Sequence, residues 1–265
     1  MLGLGVNIGG GSVSSAFTAA SISDLDLWYD FSTLSEEDGT AVSSFANAGA
    51  AGSNYDLAQA SAGVQPNVDN NELSLPSLDF DDDKMQLANA YLTTGKTFSI
   101  FMVYEIDSVG DLDTFIAGSS GGVNQFGVYN AKNVTTRFNA DASGSMNNTE
   151  YIRVDTTAED AGYAGDAEAT TGYTLTADPE ILILTRNTDN VIRIYNKAGV
   201  LIGLSSSTTN NHEDTNFQIE YIGAQSDTGG ANNGVIGEIG VYNKELSSVE
   251  AATLAAHLAD KWSIS

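Results

Sequence analysis

Between residues 24 and 246 the chain is a succession of short apolar or alternating segments, punctuated by Gly, Asn, Asp and Ser. Leu25-Asp-Leu-Trp-Tyr-Asp-Phe31 alternates with period two, as a strand does when one face meets a core and the other meets water. Residues 32–70 read as loop-rich, with a short strand around Val42–Phe45. Further strands are predicted at Ser77–Phe80, Met85–Leu87, Thr97–Glu105, Thr114–Gly118, Phe126–Tyr129, Val134–Asn139 and Tyr151–Asp155. The series continues at Glu180–Arg186, Val191–Asn196, Val200–Ser205 and Phe217–Ile222. Many short strands at this spacing predict an all-β sandwich or barrel. Asn196-Lys-Ala-Gly199, between two apolar runs, predicts a tight hairpin with glycine in the left-handed position. Residues 141–178 are polar and rich in Gly, Asp and Thr, the composition of an elaborated loop, and with residues 206–216 they are candidate rim loops for a ligand.

The two ends of the chain follow other patterns. Ser247 and Glu250 have capping-box spacing, and Leu254, Leu258 and Trp262 recur at i, i+4 and i+8, predicting an amphipathic helix over residues 247–262 that packs on the sandwich. At the start, Leu2, Leu4, Val6 and Ile8 alternate with Gly and Asn ahead of a Gly9-Gly10-Gly11-Ser12 hinge. This gives an extended segment one apolar face, with too much glycine to stand as an independent strand. The organisation expected is an extended docking arm over residues 1–22 and one sandwich domain over residues 23–265, helix included. The arm carries no charge before Asp24.

Composition narrows the class. At 265 residues a single large β domain can bury roughly 70–75% of its extended-chain surface, and the Val, Ile, Thr and Tyr content is that of a packed chain. Asp and Glu number 35 against 10 Lys and Arg, a net charge of −25. Phosphate recognition requires a basic face, so nucleic acid is excluded as a partner, and anionic lipid is disfavoured for the same reason. There is no cysteine, hence no disulfide or thiol chemistry. The first basic residue is Lys84 and no apolar run approaches ~20 residues, so neither a secretory leader nor a membrane-spanning helix is expected.

Five segments, in order, resemble the laminin-G-like, concanavalin-A-like domains of phage and bacterial proteins. They are Leu25-Asp-Leu-Trp28-Tyr-Asp30, Leu78-Asp-Phe80 with Asp81-Asp82-Asp83, Thr97-Phe-Ser-Ile-Phe-Met-Val103, Val191-Ile-Arg-Ile-Tyr-Asn-Lys-Ala-Gly199, and Ile236–Leu246 with the helix ending Lys261-Trp262-Ser-Ile264. The resemblance spans residues 24–264 and implies an all-β fold, a two-sheet antiparallel jelly-roll sandwich. Trp28, Phe101, Tyr195, Ile239 and Trp262 are the expected core residues. Fold of this kind hosts lectins, glycosidases and structural modules alike, so it does not imply an activity.

Catalytic signatures are incomplete. Related β-sandwich glycosidases carry Glu-x-Asp-x-x-Glu on one strand. Here Glu105-Ile-Asp107-Ser-Val-Gly110 has glycine at the third acid, and a retaining mechanism needs both carboxylates about 5–5.5 Å apart. His212 and His257 are the only histidines, in a polar loop and on the terminal helix, and neither has metal-ligand spacing. No enzyme is expected. Calcium is the one cofactor the sequence admits, with Asp81, Asp82 and Asp83 as candidate ligands.

The function expected from resemblance and arm together is a virion surface protein, a capsid decoration or fibre component. The arm would hold it to other virion proteins such as the major capsid protein, within a homo- or hetero-oligomeric assembly. The alternative is a carbohydrate-binding module or adhesin for a host-surface glycan, and a divergent glycosidase is the third class.

Overall fold

Three segments, Phe98–Ile106, Glu180–Arg186 and Gly234–Tyr242, are buried at nearly every position rather than at alternate ones. Continuous apolar runs of this length suit strands covered on both faces, and that is how the chain uses them. The structure, a computed structural model, describes residues 17–92, 97–107, 112–117, 125–131, 151–157, 167–169, 177–189, 191–204, 218–226, 229–231 and 233–265. Leu2, Leu4, Val6 and Ile8 of the arm, the strand expected at Val134–Asn139, and His212 lie outside the described residues.

The strands are β1 Leu25–Asp30, β2 Ser44–Phe45, β3 Leu57–Ala58, β4 Asn67–Asp69, β5 Ser77–Asp79 and β6 Met85–Leu92. They continue with β7 Phe98–Ile106, β8 Leu112–Ala117, β9 Gln125–Ala131, β10 Tyr151–Thr157, β11 Ala167–Ala169 and β12 Glu180–Arg186. The last six are β13 Ile192–Tyr195, β14 Leu201–Leu204, β15 Gln218–Ile222, β16 Ala224–Ser226, β17 Gly229–Ala231 and β18 Gly234–Tyr242, followed by the helix α1 Ser248–Trp262. One sheet, A, has the order β14-β13-β12-β7-β18-β5-β4, with β1 also paired to β18; the other, B, runs β11-β10-β9-β8-β15-β6-β3-β2. All the described pairings are antiparallel. The molecule is a two-sheet antiparallel sandwich, one of the two architectures the strand pattern allows and the jelly roll that the resemblance implies, with β18 the long central strand that the run of alternating segments did not reveal.

Two apolar cores result. Between the sheets lie Ile100, Met102, Tyr104, Leu184 and Ile239 from sheet A against Leu57, Met85, Leu87, Phe115, Ile219 and Ile222 from sheet B. On the far side of sheet A, Phe101, Val103, Ile181, Ile183, Val235 and Tyr242 meet Ala251, Leu254, Ala255, Leu258 and Trp262 of α1. Of the expected core residues, Ile239 is in the first core and Phe101, Tyr195 and Trp262 are in the second. Trp28 is only half-buried, and this corrects its expected place: Leu27 and Tyr29 take the inter-sheet positions of β1, so alternation turns Trp28 toward the helix side, where Leu25 also packs because the register shifts between Leu25 and Leu27.

Helix α1 is held at both ends. Ser247 caps it with the predicted capping box, and Leu246 N donates to the buried Ser99 Oγ at 2.8 Å. At the other end the fully buried Glu238 carboxylate accepts from Trp28 Nε1 at 2.7 Å, Lys261 Nζ at 2.7 Å and Trp262 Nε1 at 3.0 Å. Lys261 Nζ also reaches Asp30 Oδ1 at 2.6 Å. Gly237 makes room for the Trp262 ring, since a Cβ there would stand 2.6 Å from it. Residues 17–22, the end of the segment read as arm, belong to the folded unit: Ala19 is buried and its carbonyl accepts from Tyr242 Oη at 2.8 Å. The hairpin at Asn196–Gly199 forms as expected, with Gly199 at φ +68°.

Candidate functional site

On sheet B the face turned away from the core is built by register. Ala58 of β3 stands opposite Gln86 of β6, Gln86 opposite Tyr221 of β15, Tyr221 opposite Ala117 of β8, and Ala117 opposite Gly127 of β9. Met85, Leu87 and Ile222 point to the core on the other side. The β6–β15 ladder is interrupted between Ile219 and Tyr221. An interruption of this kind lets two consecutive side chains share a face and re-aims them. Gln86 Nε2 accordingly donates to Glu220 Oε1 at 2.9 Å and lies 3.5 Å from Tyr221 Oη. The Lys84 ammonium stands 6.0 Å from the centre of the Tyr221 ring. Gln59 Nε2 donates to the Lys84 carbonyl at 3.2 Å and steadies the entry to β6. An amide, a carboxylate and an ammonium, all half-buried, are thus gathered beside the buried Tyr221 ring and Ala117.

A second polar feature lies at the end of sheet A where β4, β5, β7 and β18 meet. Asp79 and Glu105 are both opposite Val235, so they flank one position of β18. Glu72 is pushed up to about 7, first by lost solvation and then by Asp69, Asp107, Glu105 and Asp79. Asp83 rises to about 6 through burial, then through Asp79, Asp81 and Asp82. Burial also raises Asp79 and Glu105, and Glu105 Oε2 is buried without a hydrogen-bond partner. The candidate calcium ligands sit on this rim, with Asp81 and Asp82 exposed and Asp83 buried. Among the described residues no group of three or more His, Asp or Glu could hold a metal ion.

Folded-state pKa values raised above the unfolded ones mean that the protonated rim favours the fold. That contribution is complete below the ordinary carboxyl range and is lost as pH rises through about 6 for Asp83 and about 7 for Glu72. Glu250, held down to about 2 by Lys244 and Ser247, acts in the opposite sense and only at far lower pH. The protein is therefore expected to melt higher at about pH 5.5 than at about pH 8, at equal ionic strength. A Glu72→Gln, Asp83→Asn variant should flatten the calorimetric difference, and an equal or reversed order in the parent chain would contradict the assignment.

Glu105 and Asp107, the two acids kept from the glycosidase pattern, belong to this rim on sheet A, on the side of the sandwich away from Gln86 and Tyr221; Gly110 is outside the described residues. So are most of the expected rim loops, of which the structure describes residues 151–157, 167–169 and 177–178 and none of 206–216. His257 packs edge-on against Phe17, ring centres 5.4 Å apart, and its pKa is lowered chiefly by burial. Local sequence does not mark Lys84, Gln86, Glu220 and Tyr221 as site residues, because nothing in it reveals an interrupted ladder.

No protein-family model matches the sequence, and no curated protein matches it. Solved structures do resemble it. Domain 4 of AbnA, a GH43 extracellular arabinanase from Geobacillus stearothermophilus, in complex with arabinotriose, matches with a TM-score of 0.56 at 12% identity, over 88% of this chain and 98% of that one. A GH54 α-L-arabinofuranosidase matches with a TM-score of 0.58 at 11% identity, over 84% of this chain and 51% of that one. An HCR/D mutant gives a TM-score of 0.54 at 12% identity, over 88% and 50%. The likeness is one of fold. The chain spans about half the length of the latter two and nearly all of the arabinotriose-bound domain.

Proposed function

We propose that the chain is a non-enzymatic carbohydrate-recognition sandwich that receives a glycan on the outer face of sheet B, where β6 and β15 part. The observation that carries this reading is the interrupted ladder, which places Gln86, Glu220 and Tyr221 on one face with Lys84 beside them. Sugars offer hydroxyl groups that need placed donors and acceptors, and the half-buried Lys84, Gln86 and Glu220 supply them. The arabinotriose-bound domain that shares the fold lends support. Absence of hydrolysis is part of the proposal, because Glu105 and Asp107 lie on the other sheet and Gly110 leaves a retaining pair incomplete. A glycan array followed by calorimetric titration with arabino-oligosaccharides tests it. Binding in the range of about 10 μM to 1 mM is expected, weakened at least about tenfold by Gln86→Ala with Glu220→Ala at unchanged melting temperature. No reducing sugar should be released above a heat-killed control. Release of sugar, or binding unaffected by the double variant, would overturn the reading.

The same proposal places the sandwich on a virion surface, as a capsid decoration or fibre component, held to a particle protein such as the major capsid protein by Leu2, Leu4, Val6 and Ile8. Its support is the uncharged, alternating arm sequence and the laminin-G-like resemblance. An extended apolar-faced segment can add to a partner's sheet edge or lie in its groove. Deleting residues 1–11 is expected to leave melting unchanged and abolish incorporation into particles; normal occupancy by the truncated protein would refute the arm's role.

A further inference from the structure

The charges beside the parted β6–β15 ladder are unequal. Glu220 offers a half-buried carboxylate that accepts from Gln86 Nε2 at 2.9 Å. Any ligand group bonded to the Gln86 amide therefore lies next to a negative charge. The positive charge comes from Lys84, also half-buried, with its ammonium 6.0 Å from the centre of the Tyr221 ring. Asp81, Asp82 and Asp83 directly precede Lys84, and three residues of backbone span at most about 11 Å. Asp81 and Asp82 are exposed.

The balance around Lys84 is negative. The Asp83 carboxyl is raised to about 6, first by burial and then by Asp79, Asp81 and Asp82, and the cation next in the chain does not offset them. At neutral pH, Glu220, Asp81, Asp82 and Asp83 set four carboxylates against one ammonium, on a chain whose net charge is −25. The screening length is about 8 Å at physiological ionic strength, so the nearest of these charges act on whatever sits at Gln86. Partial burial weakens the screening further.

We propose that this face selects uncharged sugars, with Glu220 the residue that rejects a glycan bearing a carboxylate or a sulfate. The inference rests on the carbohydrate reading above and sharpens it to a ligand class. Neutral hydroxyl groups suit the set on both counts, since each donates to a carboxylate and accepts from an amide or an ammonium. An acidic sugar has to bring its charge, stripped of part of its water, beside a carboxylate that Gln86 already holds in place. Like charges set against each other at an interface are strongly unfavourable, and one ammonium flanked by three aspartates is a poor counterweight.

Calorimetric titration at about pH 7.5 compares arabinotriose with arabinotriose oxidised to a carboxylate at its terminal primary hydroxyl. The oxidised trisaccharide is expected to bind at least about tenfold more weakly at about 50 mM salt, and the gap should shrink to about threefold or less at about 500 mM. Arabinotriose itself should change by less than about twofold over that range. Glu220→Gln, which keeps nearly the same shape without the charge, should close the gap to about threefold at low salt with unchanged melting temperature, whereas Lys84→Gln should widen it. Equal or tighter binding of the oxidised sugar by the parent chain would overturn the inference and leave the carbohydrate reading standing. So would a gap that neither salt nor Glu220→Gln alters, or a glycan array on which sialylated, uronic or sulfated glycans rank above their neutral counterparts. Binding of neither trisaccharide, with an array empty throughout, would remove the carbohydrate reading and this inference with it.

Discussion

Replacing Trp262 with alanine is expected to lower the melting temperature by about 6–20 °C. Trp262 is 1% exposed and is the largest fully buried side chain among the described residues. Truncating a buried tryptophan costs roughly 3–5 kcal/mol, and each kcal/mol shifts a domain of this size by about 2–4 °C. The site has little means to close up: Gly237 offers no side chain to fill the space, and its backbone is fixed in β18. Glu238 would also lose one of its three donors. Trp262→Phe, which keeps most of the ring but not the N–H, should fall between the two. Differential scanning calorimetry reads the shift, and a change under about 2 °C would show that α1 does not seal the second core.

Glu238→Ala should cost about 3 kcal/mol or more in urea denaturation, although it removes a single carboxylate. Breaking a buried ion pair by deleting one partner commonly costs about 3–5 kcal/mol. Here the indole N–H groups of Trp28 and Trp262 also lose their acceptor. Lys261 keeps Asp30 at 2.6 Å, which favours the lower end of that range. Exchanging the pair for apolar residues, Glu238→Leu with Lys261→Met, should recover only part of the loss: the desolvation of both charges disappears together, but the two indole N–H groups still lack an acceptor. A double variant no more stable than Glu238→Ala would mean that the orphaned indole N–H groups, and not the unpaired Lys261 charge, account for the loss.

The local record of these features in the sequence is uneven. Period-two alternation located β1, capping-box spacing located α1 to within a residue, and Asn196-Lys-Ala-Gly199 located the hairpin turn with its left-handed glycine. The short strands β3 and β4 left no such trace: two or three residues are too few to show a period, and they pair only because neighbouring strands offer an edge. Trp28 shows the limit within a strand that was recognised, since alternation says which residues share a face but not which face holds the inter-sheet core. At Glu220 and Tyr221, strict alternation sends neighbours to opposite faces, and the interrupted ladder sets that rule aside.

By itself, then, the sequence determined the all-β class, the positions of most strands, the terminal helix and the acidic composition, because period, caps and turns depend on residues a few positions apart. Tertiary structure alone decided that sheet A is buried on both faces, that carboxylates of β5 and β7 flank one position of β18, and that Glu238 is a satisfied buried anion. These outcomes depend on partners distant in the chain: Trp28 and Glu238 are 210 residues apart, and Gln86 and Glu220 are 134 apart. A carboxylate in an apolar strand reads locally as an exposed residue, since burying it unpaired is costly; only the arrival of Lys261 and two indoles from other elements makes its burial tolerable.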